Sequence, residues 1–522
     1  MEKENSEIDY SLKLIARSSV VVFLGIFLSK VLTYIYRIVI AREFGPSEYG
    51  LFTLATILLG WFITFSNLGL SNGMVRFVSL FLGKNKKNKI KSVFWSSFKV
   101  AFSISLLAGI LLFAISTTIA LYFFKEPRLG FFLKVFAFAI PLSVIFEFFL
   151  SLLLAYREVM WYSFIHKILN GSLKVVLFLV IILIGLREYS IPFSYVASLL
   201  ISTLFVLFLC KFKYPFLFSK NFSVKKSKEK LLFRKIFTYS WPLLFYGFLW
   251  QVFNWADSFI IGYFKTAADV GIYNSAVPIS FLLTITTQIF AQLFFPLITK
   301  EYASRRRKTV EALSKQIGKW IFMINFPVLL IFVLYPGAFI NILFGTEYLS
   351  AANSLRFLTI GTFFFSIFSI SNKLIIAKGF SKVIMADIII AFIINLILNF
   401  ILIPIYGIDG AAFSTMLSLI LLSIFFGIQS KSYLSILPLK RNMIRFIFAA
   451  AIPAFFVYHF QTLLAPSIFS SLMLLLTFLV SYVLLALLFR GFDKNDFMVL
   501  RAFLKKTGIN LEETKHNKRS IL

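Results

Sequence analysis

The chain alternates long apolar runs with short polar connectors. Fourteen runs lie near residues 15–41, 50–72, 93–123, 131–155, 163–186, 192–211, 237–262, 270–298, 319–343, 353–376, 382–405, 409–428, 445–462 and 468–489. Each is close to or above the roughly 20 residues that an α-helix needs to cross a bilayer. None shows the apolar–polar alternation of a membrane β-barrel strand, so the runs predict helices that satisfy their own backbone groups. Runs much longer than about 20 residues predict tilt or projecting ends. The expected fold is all-α: a polytopic membrane protein of about 14 transmembrane helices. The first run lacks a small-residue cleavage pattern and is expected to be an uncleaved span.

Composition agrees, since 59% of the 522 residues are hydrophobic against about 45–50% in soluble domains. The formal charge of +31 comes from 53 Lys and Arg against 22 Asp and Glu. These charges lie in the connectors and not on a separate basic domain, which argues against nucleic acid and for positive loops beside anionic headgroups. One set of connectors includes 76–91, 211–235, 300–319 and the regions around Lys440 and after Arg490. With the termini and two small turns, that set carries roughly 40 Lys and Arg, and the opposite set about five. The positive-inside rule places both termini in the cytoplasm, which requires an even number of spans, as fourteen is. The expected location is the cell membrane.

The lone Cys210 excludes internal disulfides and Cys-based metal clusters, and the three His residues are far apart. No Gly-x-x-x-x-Gly-Lys-Ser/Thr loop occurs, and no connector is long enough for a glycosyltransferase domain. Neither a cofactor nor an enzymatic activity is expected.

An internal repeat gives the organisation. "REFGPSEYGLFTLA" (42–55) and "GYFKTAADVGIYNSA" (262–276) each place an acid, one residue, then Gly–aliphatic–aromatic after a short outer turn. Glu48, Gly50, Leu51 and Phe52 match Asp269, Gly271, Ile272 and Tyr273, six spans apart. Two pseudo-symmetric six-helix lobes follow, related by an axis along the membrane normal, plus two C-terminal helices. The expected boundaries are an N-lobe at 1–211, a basic cytoplasmic linker at 212–236, and a C-lobe at 237–428. Helices 13 and 14 occupy 429–489, and a basic cytoplasmic tail runs over 490–522.

"AREFGPSEYGLFTLA" with "NLGLSNGMVRFVS" (67–79), and "NLILNFILIPIYGIDGAAFSTMLS" (395–418), resemble polysaccharide-biosynthesis flippases. These are the Wzx-like transporters of lipid-linked oligosaccharides in the multidrug/oligosaccharidyl-lipid/polysaccharide exporter superfamily. The resemblance implies a two-lobe, alternating-access transporter. It would move polyprenyl-diphosphate-linked sugars from the cytoplasmic to the outer leaflet for surface glycan assembly. Implied partners are the lipid-linked oligosaccharide, membrane lipid, and glycosyltransferases or a polymerase of the same pathway. Two alternatives in the superfamily are a MATE-type multidrug cation antiporter and a peptidoglycan lipid-precursor flippase.

Charged groups inside membrane helices are costly, and they point to function. Lys30, Thr33, Tyr34 and Arg37 share one face at i, i+3, i+4, i+7. That face is expected to line a cavity between the lobes and to attract a diphosphate; a cationic cavity disfavours cationic drugs. A position at the outer interface, with the head snorkelling, is the other reading of Arg37. On the seventh span Gln251, Asn254 and Trp255 offer amides and a ring to sugars, as do Gln288 and Gln292 on the eighth. Interhelical bonding and packing are the alternative for these five. Asp257 is expected either to couple transport to H+ or Na+ or to be the fixed partner of a nearby cation. Glu147 is expected to pair with Lys174 or Lys167, His166 and Asn170 sharing that face, and Asp387 to pair with Lys373.

Overall fold

The computed structural model describes residues 2–219, 226–460, 468–493 and 496. Met1, residues 220–225 of the basic linker, residues 461–467, residues 494–495 and the tail beyond Asp496 lie outside the described residues. No strand occurs among those described. The helices are α1 (Glu2–Asn67), α2 (Leu70–Leu82), α3 (Lys87–Thr118), α4 (Pro127–Ala155), α5 (Val159–Ser163), α6 (Asn170–Leu183), α7 (Ser190–Lys213) and α8 (Lys226–Phe264). They continue as α9 (Ala267–Ser280), α10 (Leu283–Ala303), α11 (Arg307–Leu334), α12 (Pro336–Leu343), α13 (Ala352–Ala377), α14 (Ser381–Gln429), α15 (Met443–Phe460) and α16 (Ile468–Leu488). Divided at two kinks, and with broken helices counted once, they match the fourteen predicted spans.

The kinks have local causes. Gly45 (φ 76°) divides α1 just before Pro46, and Gly407 (φ 59°) divides α14 three residues after Pro404. A left-handed backbone costs glycine little, and Pro46 fits the first turn of the helix that follows. The expected outer turns "REFGPSE" and "YGID" are therefore sharp bends, not open loops. The eighth span bends by 46° between α9 and α10. Pro336 ends α11 at Tyr335, whose ψ of 46° is non-helical, as the residue before a proline tends to be.

One departure is α2. The second span stops at Asn67, because Leu68 (φ 51°) and Gly69 (φ 67°) turn the chain. The residues read as a loop then form a short helix, with Leu70, Met74 and Val78 buried, packed on α3, α4 and α8.

By contacts the chain forms two compact units, Leu28–Asn274 and Ser275 onward together with the first 27 residues. In the first unit α4 packs on α3 and α7, and α6 on α7. The two copies of the repeat meet within it. A Cβ on Gly50 would lie 1.7 Å from the Ala267 carbonyl oxygen, one on Gly271 would lie 2.0 Å from the Pro46 oxygen, and each would stand 3.0 Å from the other glycine's nitrogen. Only glycine permits so close a backbone approach.

In the second unit α13 packs on α14, α10 and α11. Asn325 ties three of these together. Its Oδ1 accepts from Thr286 Oγ1 (2.9 Å), and its Nδ2 donates to the Leu283 carbonyl (2.9 Å) and Ser366 Oγ (2.8 Å). Lys319 on α11 is fully buried, paired with Asp496 and, at 3.1 Å, with Asp493, both beyond α16. Asp496 also accepts from Gln316 Nε2 (2.9 Å) and Trp320 Nε1 (2.8 Å), and Lys440 reaches Asp493 at 2.6 Å. A buried charge persists only when paired and hydrogen-bonded in this way. Asp387 does not pair with Lys373; it accepts from Gln429 Nε2 at 2.8 Å. Asn395 reaches Thr415 across the α14 kink at 3.3 Å, and Asn399 bonds Asn395 at 3.0 Å.

Candidate functional site

Within the unit Leu28–Asn274, a cavity of about 410 Å³ opens among α1, α4, the α5–α6 span and α7. Its polar lining is concentrated on three helices. Thr33 and Arg37 come from α1, Ser143 and Glu147 from α4, and His166, Lys167, Asn170 and Lys174 from the α5–α6 span. Phe52, Thr56 and Tyr195 complete the walls. Three basic side chains, Arg37, Lys167 and Lys174, therefore face one carboxylate. Such an excess of positive charge in a site walled by low-dielectric helices concentrates anions.

Local structure explains the aim of these side chains. His166, Asn170 and Lys174 follow i, i+4, i+8 along one helix face. Between α5 and α6, residues Phe164–Leu169 form a π-helical turn that contains both His166 and Lys167. Wide turns of this kind recur at functional sites. Both His166 and Lys167 line the cavity.

Neighbouring rings hold the charged groups. Lys174 Nζ lies 4.1 Å from the Tyr195 ring centroid, and the Arg37 guanidinium 5.5 Å from that of Trp255. Arg37 also lies within electrostatic reach of the Tyr49 phenol, which donates to the Asn274 carbonyl at 3.1 Å. Cation–π contacts of this kind are worth about 0.5–2 kcal/mol and fix the heads without neutralising them. His166 stacks on Tyr162 with centroids 5.6 Å apart, and its Nε2 is 3.8 Å from Glu147 Oε1. The expected partner of Glu147 was Lys174 or Lys167; the contact present is with His166, and Lys174 stands against an aromatic face.

The predicted first-span residues divide. Thr33 and Arg37 line the cavity. Lys30 and Tyr34 are half-buried, and Lys30 lies within electrostatic reach of Arg37 and Lys167. Among the described residues no carboxylate pairs with Lys30 or Arg37. On α8, Gln251 Oε1 accepts from Thr64 Oγ1 at 2.9 Å, with Gly60 leaving room for the amide. Asn254 Nδ2 donates to its own helix at the Trp250 carbonyl (2.6 Å), and Trp255 is the platform for Arg37. Asp257 is buried and accepts from Tyr273 at 2.7 Å. Gln288 and Gln292 belong to the other unit and are exposed, Gln288 bonding Thr284 at 3.3 Å.

Lys167, Lys174, His166 and Glu147 are cavity residues that sequence reasoning treated as a structural pair. The available signal was their shared helical face, together with the absence of enough acids to neutralise it.

Comparisons with known proteins place this architecture. The polysaccharide biosynthesis protein family matches residues 15–301. A probable low-salt glycan biosynthesis flippase of Haloferax volcanii is 26% identical over 41% of this chain and 45% of its own. A putative O-antigen transporter of Shigella flexneri is 25% identical over 73% of this chain and 89% of its own. Among solved structures, the lipid II flippase MurJ in an inward closed conformation shares the fold, with a TM-score of 0.71 at 16% identity over 90% of this chain and 99% of that one. The family's extent, over more than half of the residues, and the helical membrane fold together show that this chain belongs to the polysaccharide biosynthesis protein family.

Proposed function

We propose that this protein flips a polyprenyl-diphosphate-linked oligosaccharide from the cytoplasmic to the outer leaflet of the cell membrane by alternating access. Both termini then face the cytoplasm. The observation that carries the reading is the cavity with Arg37, Lys167 and Lys174 set against Glu147 alone. A diphosphate supplies the missing negative charge, with the planar Arg37 fork suited to two oxygens at once and the lysines acting as point charges. The names of the relatives, a glycan flippase and an O-antigen transporter, support a sugar on the other side of that linkage.

Lys30, Thr33 and Tyr34 extend the anionic subsite on α1. Gln251, Asn254, Trp255, Gln288 and Gln292 contact the glycan in this reading, and Asp257 takes up the coupling ion, H+ or Na+. Glycosyltransferases or a polymerase of the same pathway are the proposed partners. Hydrogen bonds to charged groups contribute about 1.5–3 kcal/mol each. Arg37→Gln in liposomes carrying a fluorescent polyprenyl-diphosphate sugar should therefore lower transport at limiting substrate by roughly ten- to a hundredfold. Lys174→Gln should act in the same direction. Unchanged transport by both variants would refute the assignment, and export of cationic dyes at wild-type rates would indicate the antiporter.

A further inference from the structure

A second basic cavity lies in the other unit. It measures about 280 Å³ and is walled by Tyr302, Arg305, Arg307, Lys378 and Tyr433, with Leu434 and Ile436 at its base. Three separate connectors build it: the turn between α10 and α11, the turn after α13, and the segment after α14. No carboxylate lines it. The nearest acid in sequence, Glu301, lies 3.5 Å from Arg306, and Glu311 is 2.6 Å from Lys315.

The cations are positioned rather than free-swinging. Arg307 Nη2 donates to the Leu434 carbonyl at 2.9 Å, and Lys378 Nζ to the Tyr433 carbonyl at 2.5 Å. Each bond uses one donor, leaving four N–H on Arg307 and two on Lys378. Arg305 sits at the left-handed turn position (φ 58°) and is exposed, with no side-chain partner among the described residues. Beside these donors stands the exposed ring of Phe380. Phe380 lies 4.9 Å from the Tyr433 ring and 5.4 Å from Lys378 Nζ. Aromatic rings beside cations at the end of a transmembrane bundle match the headgroup layer.

We propose that this cavity binds the phosphate of an anionic phospholipid headgroup at the basic end of the second unit, separate from the transported molecule. The shared chemistry is a phosphate ester held by two guanidiniums, one ammonium and two phenols. Phe380 and the bundle end are what favour a lipid over a soluble phosphate. Such a lipid would add to the Arg307 and Lys378 bonds that already tie the first two connectors to the segment after α14.

The test uses the full-length protein purified in a neutral detergent, with phosphatidylglycerol binding followed by native mass spectrometry. Phosphatidylglycerol should bind ahead of phosphatidylcholine and be weakened by added salt. Arg305→Gln and Lys378→Gln should each weaken it about fivefold, the value of one surface cation near an anionic headgroup. Lys84→Gln with Lys86→Gln, on a basic connector of the other unit, should leave it unchanged. Equal binding by wild type and both cavity variants would overturn the site. Displacement of the lipid by millimolar inorganic phosphate would overturn the lipid as its occupant. Because transport by Arg37→Gln is a separate measurement, failure here leaves the flippase reading standing, and the converse holds.

Discussion

Asp496→Ala tests the tie between the end of α16 and α11. In the wild-type protein Asp496 accepts from the fully buried Lys319, from Gln316 (2.9 Å) and from Trp320 (2.8 Å), and caps the Asp493 backbone N–H at 2.7 Å. Removing the carboxylate strands three neutral donors, at about 1 kcal/mol or more for each of the buried two, Gln316 and Trp320. It also leaves Lys319 with Asp493 alone, at 3.1 Å. Breaking a buried pair outright costs about 3–5 kcal/mol; the surviving partner places this case near the lower figure, about 3 kcal/mol. A tenfold change in an equilibrium constant is about 1.4 kcal/mol, so local opening should become roughly a hundredfold more frequent. Hydrogen exchange of the full-length protein in detergent reads this directly, in peptides covering the start of α11 and the start of α15. Lys319→Met combined with Asp496→Leu should recover the part of the protection owed to the buried ion pair, since an apolar pair of similar volume replaces it at little cost, but not the part owed to the stranded Gln316 and Trp320 donors. Protection in Asp496→Ala within threefold of wild type would refute the reasoning.

Other outcomes follow from the same structure. Burial acts to raise the Asp493 carboxyl, but hydrogen bonds and charge from Lys440 and Lys319 outweigh it and hold the group at about 2. A depressed carboxylate stabilises the fold above its ordinary value near 4 and loses that contribution as pH falls toward 2. Asp493→Asn should therefore melt below wild type at pH 7, with the two curves converging by about pH 2 in a thermal scan. Gly50→Val should prevent the close approach to Ala267, costing at least the roughly 1–3 kcal/mol of an overpacked core, read as a lowered melting midpoint or loss of the monodisperse species. Glu147→Gln removes the one carboxylate of the first cavity; it should tighten equilibrium binding of a diphosphate lipid several-fold while slowing its release, measured by substrate dissociation from proteoliposomes.

Much of the fold could be read from pattern because the apolar runs and their glycine–proline punctuation are local signals. Gly45–Pro46 and Gly407 fell where outer turns were expected. α2 was missed because an amphipathic helix beside a basic stretch carries the same residues as a loop, and its burial depends on α3, α4 and α8. For the cavity, spacing along α1 identified Thr33 and Arg37 as sharing a face. It could not say that Lys167 and Lys174 join them, since that depends on helix crossings and on a wide turn with no residue signature of its own. Gln251 shows the same limit: Thr64 and Gly60, far away in sequence, decide what its amide meets.

The π turn at Phe164–Leu169 has a consequence for how such a protein diversifies. The widened turn amounts to one extra residue in the helix. Deleting one residue there, such as Leu169, would restore regular winding locally and change the directions in which His166 and Lys167 enter the cavity. A single-codon loss could thus retune the charge offered to cargo while leaving every helix end, connector and lipid-facing surface where it was, a short route to a new specificity.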